Sequence, residues 1–160
     1  MIISGFAGIG KSTFAKNHSD ISIDLDSSNY KWIFADSIKD IDIEHRKGLT
    51  DKYSNVEWPM NYINAIKEAN KKYEFVFISI DKEIRAILKE ENIRYFVAFP
   101  MLYCKDEYIE RFIKRENGEN FIKLLDEKYE EWIKDLILNE ENQIRLFPGE
   151  YISDKLGPRD

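Results

Sequence analysis

Short apolar runs alternate along the chain with longer segments in which apolar residues recur at helical spacing. Five runs have the length and composition of buried strands, at residues 2–3, 21–25, 75–80, 95–99 and 144–147. Nearly continuous apolar strands that are separated by helices are typical of a parallel sheet covered on both faces. The pattern therefore predicts an α/β domain built around five strands.

Helical spacing predicts the segments that lie between these strands. We expect helices over residues 12–17, 82–91, 106–115 and 120–138, and a further helix that begins at Pro59. Proline is favoured in the first turn of a helix, and Tyr62, Ile63, Ile66 and Ala69 then follow on one face. Residues 34–58 have no clear period, and a long irregular insertion in a compact domain usually has a function.

The first predicted strand runs into a complete phosphate-loop pattern. Residues 5–12 read Gly-Phe-Ala-Gly-Ile-Gly-Lys-Ser, which matches G-x-x-x-x-G-K-[ST] in the strand–loop–helix setting that the pattern requires. Backbone N–H groups of such a loop surround a polyphosphate, while the lysine reaches the outer phosphates and the serine hydroxyl binds Mg²⁺. The sequence thus predicts binding of a nucleoside triphosphate, as ATP with Mg²⁺, by Gly5, Gly8, Ile9, Gly10, Lys11, Ser12 and Thr13.

Carboxylates follow two of the predicted strands. Asp24 and Asp26 lie on the same side of the second strand, because side chains alternate along a strand. At the carboxyl end of a parallel strand they would face the crevice where such sheets bind ligands. We expect Asp24 to support Mg²⁺ and Asp26 to meet the acceptor; the alternative is a pair of solvated carboxylates. Asp81 is a second candidate for the metal role, and it could equally be a helix N-cap.

Two arginines stand one helical turn apart in the predicted helix 106–115. Arg111 and Arg115 would share one face, and guanidinium groups can stabilise the charge that develops on a phosphoryl group in transfer. Gly118 follows closely, as a hinge would require. We predict a catalytic role for both arginines; the alternative is a solvated helix face.

Aromatic residues near the start of the helix at Pro59 could bind the substrate. Trp58 and Tyr62, together with Tyr30 and Trp32, could stack on a base. Ordinary packing of aromatic side chains in a small core is the alternative.

Composition narrows the class of protein further. The 160 residues are 43% hydrophobic and 34% charged, which suits one globular domain over residues 1–160. A net charge of −6 argues against a general nucleic-acid surface. The single cysteine, Cys104, fits a reducing cytoplasm and is interpreted as an unreactive thiol. No apolar run approaches the roughly 20 residues that span a membrane, so we expect no membrane partner.

These features together resemble the P-loop small-molecule kinases, a superfamily that includes nucleoside monophosphate, deoxynucleoside and shikimate-type kinases. The resemblance is carried by the phosphate loop, the Asp-Leu-Asp of the second strand, the apolar third strand and the Arg-x-x-x-Arg segment before a long helix. Residues 58–63, 77–79 and 108–111 resemble small uncharacterised kinase-like proteins of Gram-positive bacteria and their phages.

The resemblance implies a three-layer α/β/α P-loop NTPase fold with a five-stranded, mainly parallel sheet. It further implies a helical lid at about residues 105–120, which would carry both arginines, and an acceptor-binding insertion at about residues 34–70. The loop at 148–151 would lie near the adenine. The chain departs from adenylate kinases, since Ser-Ile-Asp-Lys-Glu at 79–83 replaces their Asp-Gly-x-Pro-Arg.

The expected activity is transfer of a phosphoryl group from Mg-ATP to a nucleotide or nucleoside, a small-molecule acceptor. Two other functions remain open from the sequence. One is a kinase of a non-nucleotide metabolite or of a polynucleotide 5′ end. The other is a nucleotide-binding regulatory NTPase, in which hydrolysis would depend on a protein partner rather than on a small acceptor.

Overall fold

The centre of the molecule is a five-stranded parallel sheet. The computed structural model describes residues 1–34 and 52–157. The strands of the sheet are β1 (Ile2–Gly5), β2 (Ser22–Leu25), β5 (Phe75–Ser79), β6 (Tyr95–Pro100) and β7 (Gln143–Leu146). Their order is β2-β5-β1-β6-β7, and every neighbouring pair runs parallel. The predicted α/β class and five-stranded parallel sheet are therefore confirmed.

The three central strands are apolar because they are covered on both faces. All four residues of β1 and the first four of β5 are buried. The register places Gly5 at the end of β1 beside both Ser79 and Ala98. The carboxyl ends of β1, β5 and β2 consequently meet along one edge of the sheet.

Helices flank the sheet, an arrangement compatible with three layers. Their bounds are α1 (Lys11–Asn17), α2 (Ser28–Lys31), α3 (Met60–Lys72), α4 (Lys82–Glu90), α5 (Lys105–Lys114) and α6 (Glu119–Asn139). The predicted apolar face of α3 is buried as expected. Short 3₁₀ turns lie at Leu102–Cys104 and Ile152–Asp154. No helix in the described ranges is both long enough and apolar enough to span a membrane.

A small hairpin, which the periodicity did not predict, interrupts the region after β2. Strands β3 (Trp32–Phe34) and β4 (Lys52–Ser54) pair antiparallel, and α2 leads into β3. Residues 35–51 of the expected acceptor-binding insertion lie outside the described residues, so that assignment stays a prediction.

The segment expected to form a lid is anchored in the core over most of its length. Tyr108 and Phe112 of α5 are each only 1% exposed. They pack against the glycine-rich loop and α6, since Phe112 contacts the ring of Phe121 with centroids 4.9 Å apart. Most residues at positions 113–120, around the turn between α5 and α6, are exposed.

Candidate functional site

A cavity of about 1400 Å³ opens over the carboxyl ends of β1, β2 and β5. In open α/β sheets this is the edge where ligands bind. The cavity brings together most of the residues expected to act, namely Gly5, Gly8, Gly10, Lys11, Ser12, Thr13, Asp24, Asp26, Arg111 and Arg115. Six candidate residues do not line it, namely Ile9, Tyr30, Trp32, Trp58, Tyr62 and Asp81.

The glycine-rich loop, residues 5–12, has a backbone that only glycine accommodates well. Gly8 and Gly10 have φ values of +80° and +93°, in the left-handed region that side chains disfavour. A Cβ atom on Gly5 would lie 2.7 Å from Cδ of Lys11. The loop thus curls tightly around the side chain of Lys11 and has no room for a side chain at Gly5.

Ile9 has a different place from the other loop residues. Its side chain is fully buried, and its carbonyl oxygen accepts a hydrogen bond of 2.9 Å from the N–H of Ile152. Ile9 therefore anchors the loop to the chain after β7, and any contact it makes with a phosphate would come from its backbone.

Lys11 and Ser12 begin α1 at the mouth of the loop. The Lys11 ammonium group donates to the carbonyl oxygens of Gly5 and Phe6 at 2.7 and 3.2 Å. The Ser12 hydroxyl donates to Oδ2 of Asp24 at 2.6 Å. Ser12 on α1 and Asp24 on β2 are therefore held together, and Lys11 lines the same cavity.

Asp26 and Asp81 both stabilise the start of a helix, but only Asp26 lines the cavity. Oδ1 of Asp26 accepts from the backbone N–H and the hydroxyl of Ser28, at 2.9 and 2.7 Å. Asp81 is the N-cap of α4, and its side chain accepts from the N–H of Glu83 at 2.9 Å. Of the two interpretations held open for Asp81, the structure places it as a helix cap.

Arg111 packs against the glycine-rich loop. It does not extend from a lid, as the sequence had suggested. Its side chain is 10% exposed. The guanidinium group donates to the carbonyl oxygens of Gly8 and Glu150, at 2.9 and 3.0 Å, and pairs with Glu107. It also lies 3.9 Å from the ring centre of Tyr151. Arg111 is therefore committed to contacts that join the loop to two other segments.

Arg115 lies one turn further on, where α5 ends, and lines the cavity with Lys114. Its guanidinium group is 5.7 Å from the ring centre of Phe112. The two arginines thus differ in their surroundings, although their spacing in the sequence suggests a common role.

Tyr62 and Trp58 were expected to bind the substrate, but they pack together beside the sheet. Tyr62 is fully buried, and Trp58 stacks on its ring with centroids 5.5 Å apart. The Tyr62 hydroxyl donates to the carbonyl oxygen of Leu25 at 2.6 Å and accepts from the N–H of Ser79 at 3.2 Å. Core packing, the alternative for these aromatic residues, is the arrangement found, and Tyr62 ties the ends of β2 and β5 together.

Burial is the main cause of a raised pKa at two further side chains. It raises the pKa of the Tyr62 hydroxyl, and the negative charges of Asp24 and Asp26 add to this effect. Burial likewise raises the pKa of the Cys104 thiol, which is 2% exposed. Since thiolates are the reactive form of cysteine, Cys104 is unsuited to act as a nucleophile, as the sequence suggested.

Several residues of the cavity wall were not singled out by their pattern. They come from the α5–α6 turn and from α6, and they include Asn117, Asn120, Phe121 and Leu124. Leu124 belongs to the apolar stripe of α6, yet it is 45% exposed. Its spacing in the sequence is the same as that of the buried residues of this stripe. The sequence alone therefore could not show that Leu124 is exposed.

No model of a known protein family matches this chain, and no curated protein matches it. What the protein does is therefore inferred from the cavity and its residues.

Proposed function

We propose that this protein transfers the γ-phosphoryl group of Mg-ATP to a nucleoside or nucleotide, within a P-loop NTPase fold. The observation that carries the proposal is the 2.6 Å hydrogen bond between Ser12 and Asp24 at the mouth of the glycine-rich loop. In nucleotide-binding loops of this pattern the serine hydroxyl binds Mg²⁺ and a strand-end aspartate supports it. The loop motif and this pairing were found independently, one in the sequence and one in the fold.

The residues present suit a magnesium ion that is shared with phosphate groups. Within residues 1–34 and 52–157, no three His, Cys, Asp or Glu side chains converge as a self-sufficient metal site would require. Mg²⁺ is usually held by one or two protein groups together with substrate phosphates and water. Ser12 and Asp24 would hold the ion, which when bound neutralises charge on the phosphates.

The protein itself would supply the rest of the catalysis. It would position the phosphates and stabilise the charge on the phosphoryl group in transfer. Backbone N–H groups of the glycine-rich loop would hold the phosphates, and Lys11 would move from the carbonyl oxygens of Gly5 and Phe6 to the outer phosphate oxygens. Arg115, at the turn above the cavity, would approach the phosphoryl group in transfer and help exclude water. No covalent intermediate on the protein is needed, since catalysis of this kind rests on alignment and electrostatics.

The turn at about residues 113–120 would act as a short lid over the donor. This lid is shorter than the one expected from the sequence, because Tyr108 and Phe112 hold most of α5 in the core.

Replacing Lys11 tests the proposed function. We expect Lys11→Ala to abolish ATP-dependent transfer and to weaken ATP binding while the fold is retained. The reason is that the ammonium group would bind the negatively charged phosphates. Lys16→Ala is the matched control, since Lys16 is exposed on the same helix and does not line the cavity. ATP affinity would be measured by calorimetry, and turnover against a panel of acceptors. Normal ATP affinity and turnover in Lys11→Ala would contradict the proposal.

A further inference from the structure

The wall of the cavity at the start of α6 combines apolar side chains with amides. Asn120, Phe121 and Leu124 of α6 line the cavity there, and Asn117 adjoins them from the turn before the helix. We call these four residues the α6 wall. Phe121 is half-buried and Leu124 is 45% exposed. The wall therefore offers an aromatic ring and a branched apolar side chain beside two hydrogen-bonding groups.

The two amide side chains of the α6 wall have unused hydrogen-bonding capacity. Within residues 1–34 and 52–157, neither the Asn117 nor the Asn120 side chain forms a hydrogen bond. Asn117 is held through its backbone, since its N–H donates to the carbonyl oxygen of Phe112 at 3.1 Å. An asparagine amide carries two N–H donors and an accepting oxygen, and these groups match the edge of a nucleobase.

The charge of this part of the lining argues against a phosphate at the α6 wall. In the described lining, α6 contributes no lysine or arginine, and its charged residue is Glu119 in the first turn of the helix. A carboxylate there already interacts with the positive end of the helix, and it disfavours a second anion beside it. The α6 wall therefore suits an uncharged ring system better than an anion.

The α6 wall lies one side chain away from the glycine-rich loop. The ring of Phe121 contacts that of Phe112 edge to face, with centroids 4.9 Å apart. A Cβ atom on Gly8 would in turn lie 3.0 Å from Cζ of Phe112. The cavity of about 1400 Å³ also exceeds the roughly 300–1,000 Å³ of a usual small-molecule pocket. A ring system on the α6 wall would thus share the cavity with phosphates at the loop.

We propose that the α6 wall binds a nucleobase, that of the phosphoryl donor or of the acceptor; this rests on the proposed kinase function. The base lies against Phe121 and Leu124. Its edge hydrogen-bonds to the amides of Asn117 and Asn120. Stacking on an aromatic ring tolerates every base, whereas amide groups distinguish one base edge from another. The two apolar residues therefore supply affinity, and the two asparagines supply specificity.

The experiment compares ligands that carry a base with ligands that lack one. Mg-ATP is compared with Mg-tripolyphosphate in the donor arm. In the acceptor arm, the common nucleosides and their 5′-monophosphates are compared with ribose 5-phosphate. Affinities are measured by calorimetry on the whole chain, and circular dichroism verifies that each variant is folded.

Two variants remove apolar contact from the α6 wall. Phe121→Leu removes the ring and keeps an apolar side chain against Phe112. It should weaken binding of the base-carrying ligands of one arm by about fivefold or more, the lower end of the usual effect of losing a stacked ring. Leu124→Ala should weaken the same ligands, and the base-free ligands should bind as before. Leu138→Ala is the matched control, because Leu138 is 80% exposed on the same helix and does not line the cavity.

Two further variants test the specificity. Asn117→Ala and Asn120→Ala should change the order of affinity among the bases, because each removes amide groups that contact the base edge. The affinity for the base-free ligands should again stay unchanged. A purely structural role of either asparagine would weaken all bases alike.

The outcomes separate the two sources of the base and the two proposals. Losses confined to Mg-ATP assign the α6 wall to the donor, and losses confined to nucleosides and monophosphates assign it to the acceptor. Unchanged affinities in both Phe121→Leu and Leu124→Ala, or equal losses for base-free ligands, overturn the inference. If neither Mg-ATP nor Mg-tripolyphosphate binds the unaltered protein, the proposed function fails, and nucleoside binding by the same variants still decides the inference.

Discussion

At the scale of single residues, two aspartates have different partners: Asp24 lies within β2 near its end, and Asp81 follows β5. Asp24 accepts the hydroxyl of Ser12 at 2.6 Å, whereas Asp81 accepts a backbone N–H at the start of α4. A carboxylate that orients a metal-binding hydroxyl affects the affinity for the ion. A carboxylate that caps a helix affects the stability of the fold. Substitution should therefore separate the two roles.

Asp24→Asn should weaken Mg²⁺-dependent ATP binding roughly 10–100-fold, as is usual when a group that orients a metal ligand is lost. Asp81→Ala should instead lower the free energy of unfolding by about 0.5–2 kcal/mol through loss of the cap, with Mg²⁺ dependence unchanged. Calorimetric titration of Mg²⁺ at fixed ATP and urea denaturation measure the two effects. A change in Mg²⁺ dependence with Asp81→Ala alone would move the metal role to Asp81.

At the scale of elements, one polar network joins α5, the glycine-rich loop and the loop after β7. Glu107 accepts from the backbone N–H of Gly149 at 3.1 Å and pairs with Arg111. Arg111 in turn bonds the carbonyl oxygens of Gly8 and Glu150. Gly8 and Gly149, which both have positive φ values, lie in the two turns that this network joins.

Arg111→Ala should destabilise the fold by about 1.5–3 kcal/mol, the range for hydrogen bonds that involve a charged group, and should weaken ATP binding. Arg111→Lys should rescue poorly, because a single ammonium group cannot span carbonyl oxygens on two loops as a planar guanidinium does. Arg115→Ala should lower stability less than Arg111→Ala, since Arg115 is exposed, and should lower kcat by about 10²–10³-fold, the usual effect of removing a preorganised donor.

Urea denaturation and steady-state kinetics at saturating ATP distinguish these two arginines. If Arg111→Ala and Arg115→Ala lost kcat equally and Arg111→Ala lost no stability, Arg111 would have the catalytic role that the sequence predicts. Unchanged kcat in Arg115→Ala would place Arg115 on an ordinary exposed turn.

At the scale of the whole molecule, the core contains buried tyrosine side chains as well as purely apolar ones. Burial is the main cause that raises the pKa of four tyrosines, at positions 62, 95, 108 and 129. Their hydroxyl groups stay neutral in the folded protein above the ordinary phenol pKa of about 10, while the unfolded chain ionises there.

The contribution of these tyrosines to the free energy of unfolding should therefore be constant below about pH 10 and should fall as the pH rises further, since only the unfolded state loses these protons. Urea denaturation at a series of pH values from 8 upwards measures this decline. Tyr62→Phe removes one titrating group and should make the decline shallower, even if it lowers stability at pH 8. A stability that does not depend on pH above 10 would contradict the burial of these hydroxyl groups.

Much of the architecture could be predicted because it depends on local patterns. Apolar runs such as residues 75–80 indicate covered strands wherever they occur, and the spacing in α3 correctly identified its buried face. The short helix α2 and the hairpin that follows it were missed, since four mainly polar residues carry no helical period. Residue spacing also could not distinguish a buried aromatic side chain from one that lines a cavity. For this reason Tyr62 was expected in the site.

The sequence by itself determined the class of the fold and the glycine-rich loop, because both follow from the order of residues within short windows. Only the tertiary structure decided which side chains meet. The pairing of Ser12 with Asp24 arises from the packing of α1 on β2, and the bond from Arg111 to Gly8 joins residues 103 positions apart. Contacts of this kind depend on strand order and helix placement, which no single window of the chain contains.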